Sequence, residues 1–172
     1  MIVVQENVFI AHPFADELEM RTWLETHMSS VLGLTYIGSE IILGGYRIDT
    51  LAYDERSNNF VIFEFKNNKS PGMLEQGLAY LQLAKSNIKS LMFDYANVKH
   101  NSVDVKYDST SLILVSQQFT NHQIDISSML PLVKWLQLER FKDKNGKVAV
   151  HARYIRDNAP KPINGHTSNR KS

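Results

Sequence analysis

The sequence contains no cysteine, so neither a disulfide framework nor a thiolate metal site is available to it. No apolar run approaches the ~18 residues needed to cross a bilayer, which predicts no membrane partner. Charge of one sign is scarce in excess: 19 Lys and Arg stand against 18 Asp and Glu, a formal net charge of +1. No global field therefore announces a polyanionic partner, and any nucleic-acid surface has to be a local patch. The six histidines, at positions 12, 27, 100, 122, 151 and 166, never fall at metal-ligand spacing and read as ordinary surface or core residues. The N-terminal MIVVQENVFIAH is broken by Gln5, Glu6 and Asn7 and lacks a basic leader, so it reads as a strand or hairpin rather than a signal peptide. A cysteine-free chain is compatible with the cytosol, and a cytoplasmic location is the expectation.

What is present is the composition of a globular domain: 172 residues, 43% hydrophobic, 22% charged and 10% aromatic. No internal repeat or linker divides it. Residues 1–156 are expected to form one domain, followed by a polar, Pro-containing tail over 157–172. A helix is expected in HPFADELEMRTWLETHMSSVLG, opened by Pro13 and stopped at Gly33, with Met20, Leu24, Met28 and Val31 facing inward. Glu17 lies on the same stripe as Met20. Three strands follow, LTYIGSEIIL, YRIDTLAYD and NFVIFEFK, separated by Gly44-Gly45 and by DERSNN. Ser70 and Pro71 open a second helix, with Leu74, Leu78 and Leu81 as its buried stripe. NIKSLMFDYANVKH is a further amphipathic piece, SLILVS a fully buried strand, and Ile124 to Leu130 a short helix. A terminal hairpin turns at DKNG. The order predicts a mixed α/β domain.

The second and third strands carry charge inside the most hydrophobic region. Glu64 and Lys66 share one face of their strand, with Phe63 and Phe65 on the other, and Asp49 shares a face with Leu51 and Tyr53. An antiparallel turn at DERSNN would bring Asp49 and Glu64 together at the strand ends opposite it. Two carboxylates at short range raise one another's pKa. A hard divalent cation relieves this, since one or two carboxylates are how Mg²⁺ is usually held. A neighbouring lysine would stabilise negative charge developing on phosphate. The set suits metal-assisted phosphodiester hydrolysis. The same residues are also what a solvated sheet face would show.

RID, a short turn and then VIFEFK resemble the Asp…Glu-x-Lys signature of the PD-(D/E)XK, or restriction-endonuclease-like, nuclease superfamily, in the neighbourhood of NucS-type endonuclease domains. The predicted order α-β-β-β-α-β also matches that superfamily. EQGLAYL resembles the Gln-x-x-x-Tyr helix motif of one of its branches. The resemblance runs from about Asp16 to Lys99 and implies an αβββαβ core with a mixed central sheet flanked by helices, plus the C-terminal β-hairpin. It further implies a Mg²⁺- or Mn²⁺-dependent nuclease acting on DNA, with a homodimer left open. Under it, Asp49 and Glu64 are metal ligands, with Glu17 approaching the metal or its waters. Lys66 is the catalytic lysine, and Gln76 and Tyr80 orient it or a phosphate. Arg47 would contact a phosphate, and Ile48 stands where the motif's proline would be.

Two other readings compete: a catalytically silent module that holds nucleic acid or a protein, and an accessory subunit of a repair or defence system. Basic residues gather late, at Lys134, Arg140, Lys142, Lys144, Lys147, Arg153 and Arg156 and in the tail at Lys161, Arg170 and Lys171. Arg140 is taken from them as a candidate substrate contact. Trp135, Phe141 and Tyr154 are interleaved with them and either stack on bases or pack the hairpin, the second being the expectation.

Overall fold

A computed structural model describes residues 2–4, 7–105 and 109–155 of the chain. The tail over 157–172 and Arg156 lie outside the described residues. Strands β1 (Ile2–Val4) and β2 (Asn7–Ala11) form the expected N-terminal hairpin, and α1 spans Glu17–Leu32. Three consecutive antiparallel strands follow: β3 (Thr35–Leu43), β4 (Tyr46–Asp54) and β5 (Asn59–Lys66). Then come α2 (Met73–Ser86), α3 (Ile88–Lys99) and β6 (Ser111–Ser116). The chain continues with α4 (Asn121–Ile126), a 3-10 turn, and the hairpin of β7 (Val133–Asp143) and β8 (Val148–Tyr154).

The strands form one mixed sheet in the order β1-β2-β7-β6-β5-β4-β3, with β8 also paired to β7. β6 runs parallel to both β5 and β7. That is why β6 is uniformly buried: it is a central strand covered on both faces. The expected α/β architecture, a mixed central sheet flanked by helices with a C-terminal hairpin, is the one observed.

Strand alternation divides the core in two. Phe60 and Ile62 of β5, with Leu51 and Tyr53 of β4, pack against α2 and α3. Val61, Phe63 and Phe65 point to the opposite face, where Met20, Leu24 and Met28 of α1 cover them. Each of these fully buried side chains contributes about 1.5 to 3 kcal/mol by removal from water. Glu64 has the parity of Phe60 and Ile62, so it faces α2.

The turn between β3 and β4 needs both its glycines. Leu43 pairs with Tyr46, leaving a two-residue loop in which Gly44 and Gly45 have φ of 55° and 82°. Positive φ at both positions marks the turn whose twist matches the flanking strands.

Four local expectations are corrected. α1 is opened by Asp16, whose carboxylate accepts from Glu19 N–H, rather than by Pro13 three residues earlier. α2 begins at Met73, two residues beyond Pro71, and Ser70 supplies no side-chain cap. The short helix starts earlier than Ile124, at Asn121, because Thr120 and Gln123 form a capping box. The buried stripe of α2 is Met73, Gly77, Leu81 and Ala84, while Leu78 is 36% exposed and Leu74 only packs at the edge. Gly77 is the reason. A Cβ there would come within 2.7 Å of Leu114 Cδ2 and 2.8 Å of Leu112 Cδ2, so the helix lies on β6 through its one residue without a side chain.

Candidate active site

The pairing of β4 with β5 runs from Asp54–Asn59 to Thr50–Phe63 and ends there. One step beyond, Asp49 and Glu64 face each other where the ladder has stopped. Asp49 Oδ2 accepts the Phe65 N–H at 3.0 Å, so a carboxylate takes a backbone donor that a continuing strand would otherwise have bonded. The opening is a cleft of about 550 Å³ reached by α1 from one side and α2 from the other. Glu17 and Arg21 come from α1, Glu40 and Arg47 from the β3–β4 hairpin, Asp49, Phe65 and Lys66 from the central strands, and Gln76 and Tyr80 from α2.

Glu64 sits beneath this cleft at 0% exposure. Lys66 Nζ stands 3.0 Å from Glu64 Oε1 and 3.7 Å from Glu17 Oε2. The Lys66 ammonium is the one cationic group paired with Glu64 among the described residues, and both Glu64 oxygens are buried with no other donor in reach. Burial, and then the charge of Asp49, push the Glu64 carboxyl up to about 7 against the pull of Lys66. Lys66 is partly desolvated, which lowers its pKa, but Glu64, Glu17 and Asp49 outweigh this and raise it. The ammonium is therefore held charged. Among the described residues, no three His, Asp or Glu side chains form a metal-holding cluster. The donors closest to the purpose are the two carboxylates of Asp49 and Glu64.

Gln76 and Tyr80, one turn apart, do face the cleft, and Gln76 Nε2 donates to Tyr80 OH at 3.1 Å. Arg47 also lines it, largely exposed and paired to Glu40 at 3.5 Å. The geometry thus gathers Glu17, Arg47, Asp49, Lys66, Gln76 and Tyr80 around one opening, with Glu64 below.

Arg140 is not among them. Its guanidinium binds both oxygens of Glu19, the His12 carbonyl at 2.8 Å and the Pro13 carbonyl at 2.8 Å, and lies over the Phe14 ring. It clasps β7 to the segment entering α1, outside the cleft, with its donors engaged by the protein. Trp135 is core, packed edge-on against Phe119, so packing rather than base stacking accounts for it.

Two cleft residues were not singled out as binding or catalytic from the sequence. Arg21 lies in the charged run of α1, where nothing in the spacing separates it from its neighbours. Glu40, in the strand run LTYIGSEIIL, has in the sequence the look of an ordinary solvated charge. The signal available for Glu40 was its place opposite Asp49, which required the β3–β4 register.

No family model matches the chain. Over 135 residues it is 30% identical to an uncharacterized protein of Haemophilus influenzae, covering 74% of this chain and 44% of that one. Its fold is similar to that of a repair endonuclease from Pyrococcus abyssi, with a TM-score of 0.54, 17% identity, and coverage of 76% of this chain and 50% of the other. It is also similar to EndoMS in its apo form, with a TM-score of 0.52, 18% identity, and coverage of 75% and 48%. The chain spans about half the length of each of these proteins. Over about three quarters of its own length, it has the fold of these two proteins.

Proposed function

We propose that this chain is a nuclease of the PD-(D/E)XK type that hydrolyses DNA phosphodiester bonds with the aid of Mg²⁺ or Mn²⁺. The observation that carries the reading is Glu64: a fully buried carboxylate with no donor but Lys66, beside a second carboxylate, at the base of an open cleft. Such a group is unstable as an anion unless a cation compensates it. One lysine at 3.0 Å goes part of the way. A hard divalent ion suits the remainder, because the donor set is all oxygen and Mg²⁺ commonly takes one or two carboxylates and keeps several waters.

Asp49 and Glu64 would hold that ion, with Glu17 oriented toward its waters. When bound, the ion supplies Lewis acidity and an activated water. Lys66, held charged by its acidic neighbours, donates toward the phosphate and offsets negative charge as it develops. Gln76 and Tyr80 form one hydrogen-bonded unit on α2 and position the substrate across from Lys66. The fold shared with a repair endonuclease and with EndoMS supports the same reading. Single-stranded, duplex and branched DNA incubated with Mg²⁺ or Mn²⁺ should be cut in at least one form, and excess EDTA should stop the reaction. Metal binding with every form left intact would favour the alternative, a silent nuclease-fold module.

A further inference from the structure

Glu40 is a cleft residue for which the proposed chemistry has no use. It lies inside β3, yet its φ is 56°, in the left-handed region that a side chain rarely adopts. Asn58 and His100 share that feature for ordinary reasons, one in the β4–β5 turn and the other at the C-cap of α3. The register pairs Ser39 with Thr50 and Ile41 with Ile48, which sets Glu40 opposite Asp49. Asp49 in turn lies next to Glu64, so three acidic residues run in a row across β3, β4 and β5. Like charges opposite one another across strands repel.

Two guanidinium groups compensate Glu40. Its Oε1 stands 3.3 Å from Arg21 Nη2 and 3.5 Å from Arg47 Nη1, so a single oxygen bridges α1 and β4 across the cleft mouth. Arg21 is otherwise poorly bonded. Its contact with Glu40 is its one hydrogen bond among the described residues, its Nε is buried without a partner, and Glu25 and Asp49 stand off at 4.0 Å. A guanidinium offers five donors in a fork suited to phosphate oxygens, and this one is mostly unused. The contrast is with Arg140, whose donors are engaged.

We infer that Arg21 and Arg47 form a phosphate-binding pair at the cleft mouth, with Glu40 as a resident counter-ion that a backbone phosphate of the substrate displaces. The inference rests on the proposed function for its ligand, a phosphodiester next to the one at Asp49 and Lys66. Displacement exchanges one oxygen anion for another, so the arginines stay oriented in the free protein. Glu40 lowers affinity and excludes weaker anions. It also makes substrate binding depend on a competition that can be measured.

The test is binding of a fluorescently labelled DNA oligonucleotide by anisotropy, in EDTA and again in Ca²⁺, across a range of salt. Wild type is compared with Glu40→Gln, Arg21→Gln, Arg47→Gln and the double variant Arg21→Gln/Glu40→Gln. Glu55→Gln, in the turn just beyond β4 and outside the cleft, controls for net charge. Glu40→Gln should bind about tenfold more tightly and Arg21→Gln about tenfold more weakly, the scale of one charge-assisted hydrogen bond. Arg21→Gln should also lower the salt slope by about one unit. In the double variant the gain from Glu40→Gln should largely vanish, because the group it frees is gone. Equal tightening by Glu40→Gln and Glu55→Gln, or a gain that persists without Arg21, overturns the inference. If wild type cleaves DNA while Glu40→Gln binds no more tightly, the inference fails and the nuclease reading stands. Tightening by Glu40→Gln in a protein that cuts nothing supports the phosphate pair and removes the nuclease.

Discussion

Two acid–base pairs lie close to the start of α1, and they are built in opposite ways. Glu19 and Arg140 satisfy each other. Glu19 also accepts the Ala15 N–H at 2.7 Å, and these hydrogen bonds from Arg140 and Ala15 hold its carboxyl below the usual range. Glu64 and Lys66 do not: the carboxylate is buried with the Lys66 ammonium alone beside it, and its pKa is driven up. A satisfied pair between secondary elements is a structural clasp. An unsatisfied one at the bottom of a cleft is a group waiting for a ligand. The difference teaches that a charge's bonding, more than its burial, separates a site from a scaffold.

The largest effect expected from that contrast is on cleavage. Asp49→Asn, Glu64→Gln or Lys66→Ala should each reduce turnover by about a thousandfold or more, with far-ultraviolet circular dichroism unchanged. Arg140→Ala should leave turnover of the folded protein within a few-fold of wild type. It should cost about 2 kcal/mol in urea denaturation, because Glu19 and two carbonyls lose their donor. Loss of activity in Arg140→Ala without loss of stability would break the comparison.

A second stability effect has the opposite sign. Without metal, burial and Asp49 hold the Glu64 carboxyl up at about 7 in the folded protein, against 4.5 for an ordinary glutamate. The folded state therefore binds the proton more tightly, and stability falls as pH rises from about 4.5 to about 7. Above that window the full penalty, on the order of 3 kcal/mol, is present. Glu64→Gln should flatten this decline and be more stable than wild type at pH 8 when metal is absent. Urea midpoints measured across pH for both proteins check it, and parallel curves would mean that Glu64 is compensated after all.

The smallest effect sharpens the role of α2. Gln76→Ala should lower cleavage about tenfold while moving the unfolding midpoint little, since it removes one hydrogen bond to Tyr80 and no buried apolar volume. Unchanged cleavage would leave Gln76 and Tyr80 as neighbours without a function.

How much of this was legible in the sequence differs by region. The strands β3, β4 and β5 were readable because alternation and the two turns fix both register and face. The sequence alone thus places Asp49 and Glu64 side by side. The face of α2 was misread because a hydrophobic stripe is a search for large side chains. The helix instead approaches β6 through Gly77, which such a search passes over. Arg21, Glu40 and the Arg140 clasp depend on contacts between elements far apart in the chain. The Arg140–Glu19 pair closes over 121 positions, and no local pattern announces it. Residue types alone gave Arg140 and Arg47 the same promise, while bonding tells them apart.

The central claim is that Glu64 and Asp49 are short of a cation. Calorimetric titration of metal-free protein with Mn²⁺, for wild type beside Asp49→Asn, Glu64→Gln and Lys66→Ala, tests it most directly. The account predicts a binding heat in wild type that both carboxylate variants lose and that Lys66→Ala largely keeps, because an ammonium cannot ligate the ion. A wild type with no such heat, or one that the carboxylate variants reproduce, would contradict it.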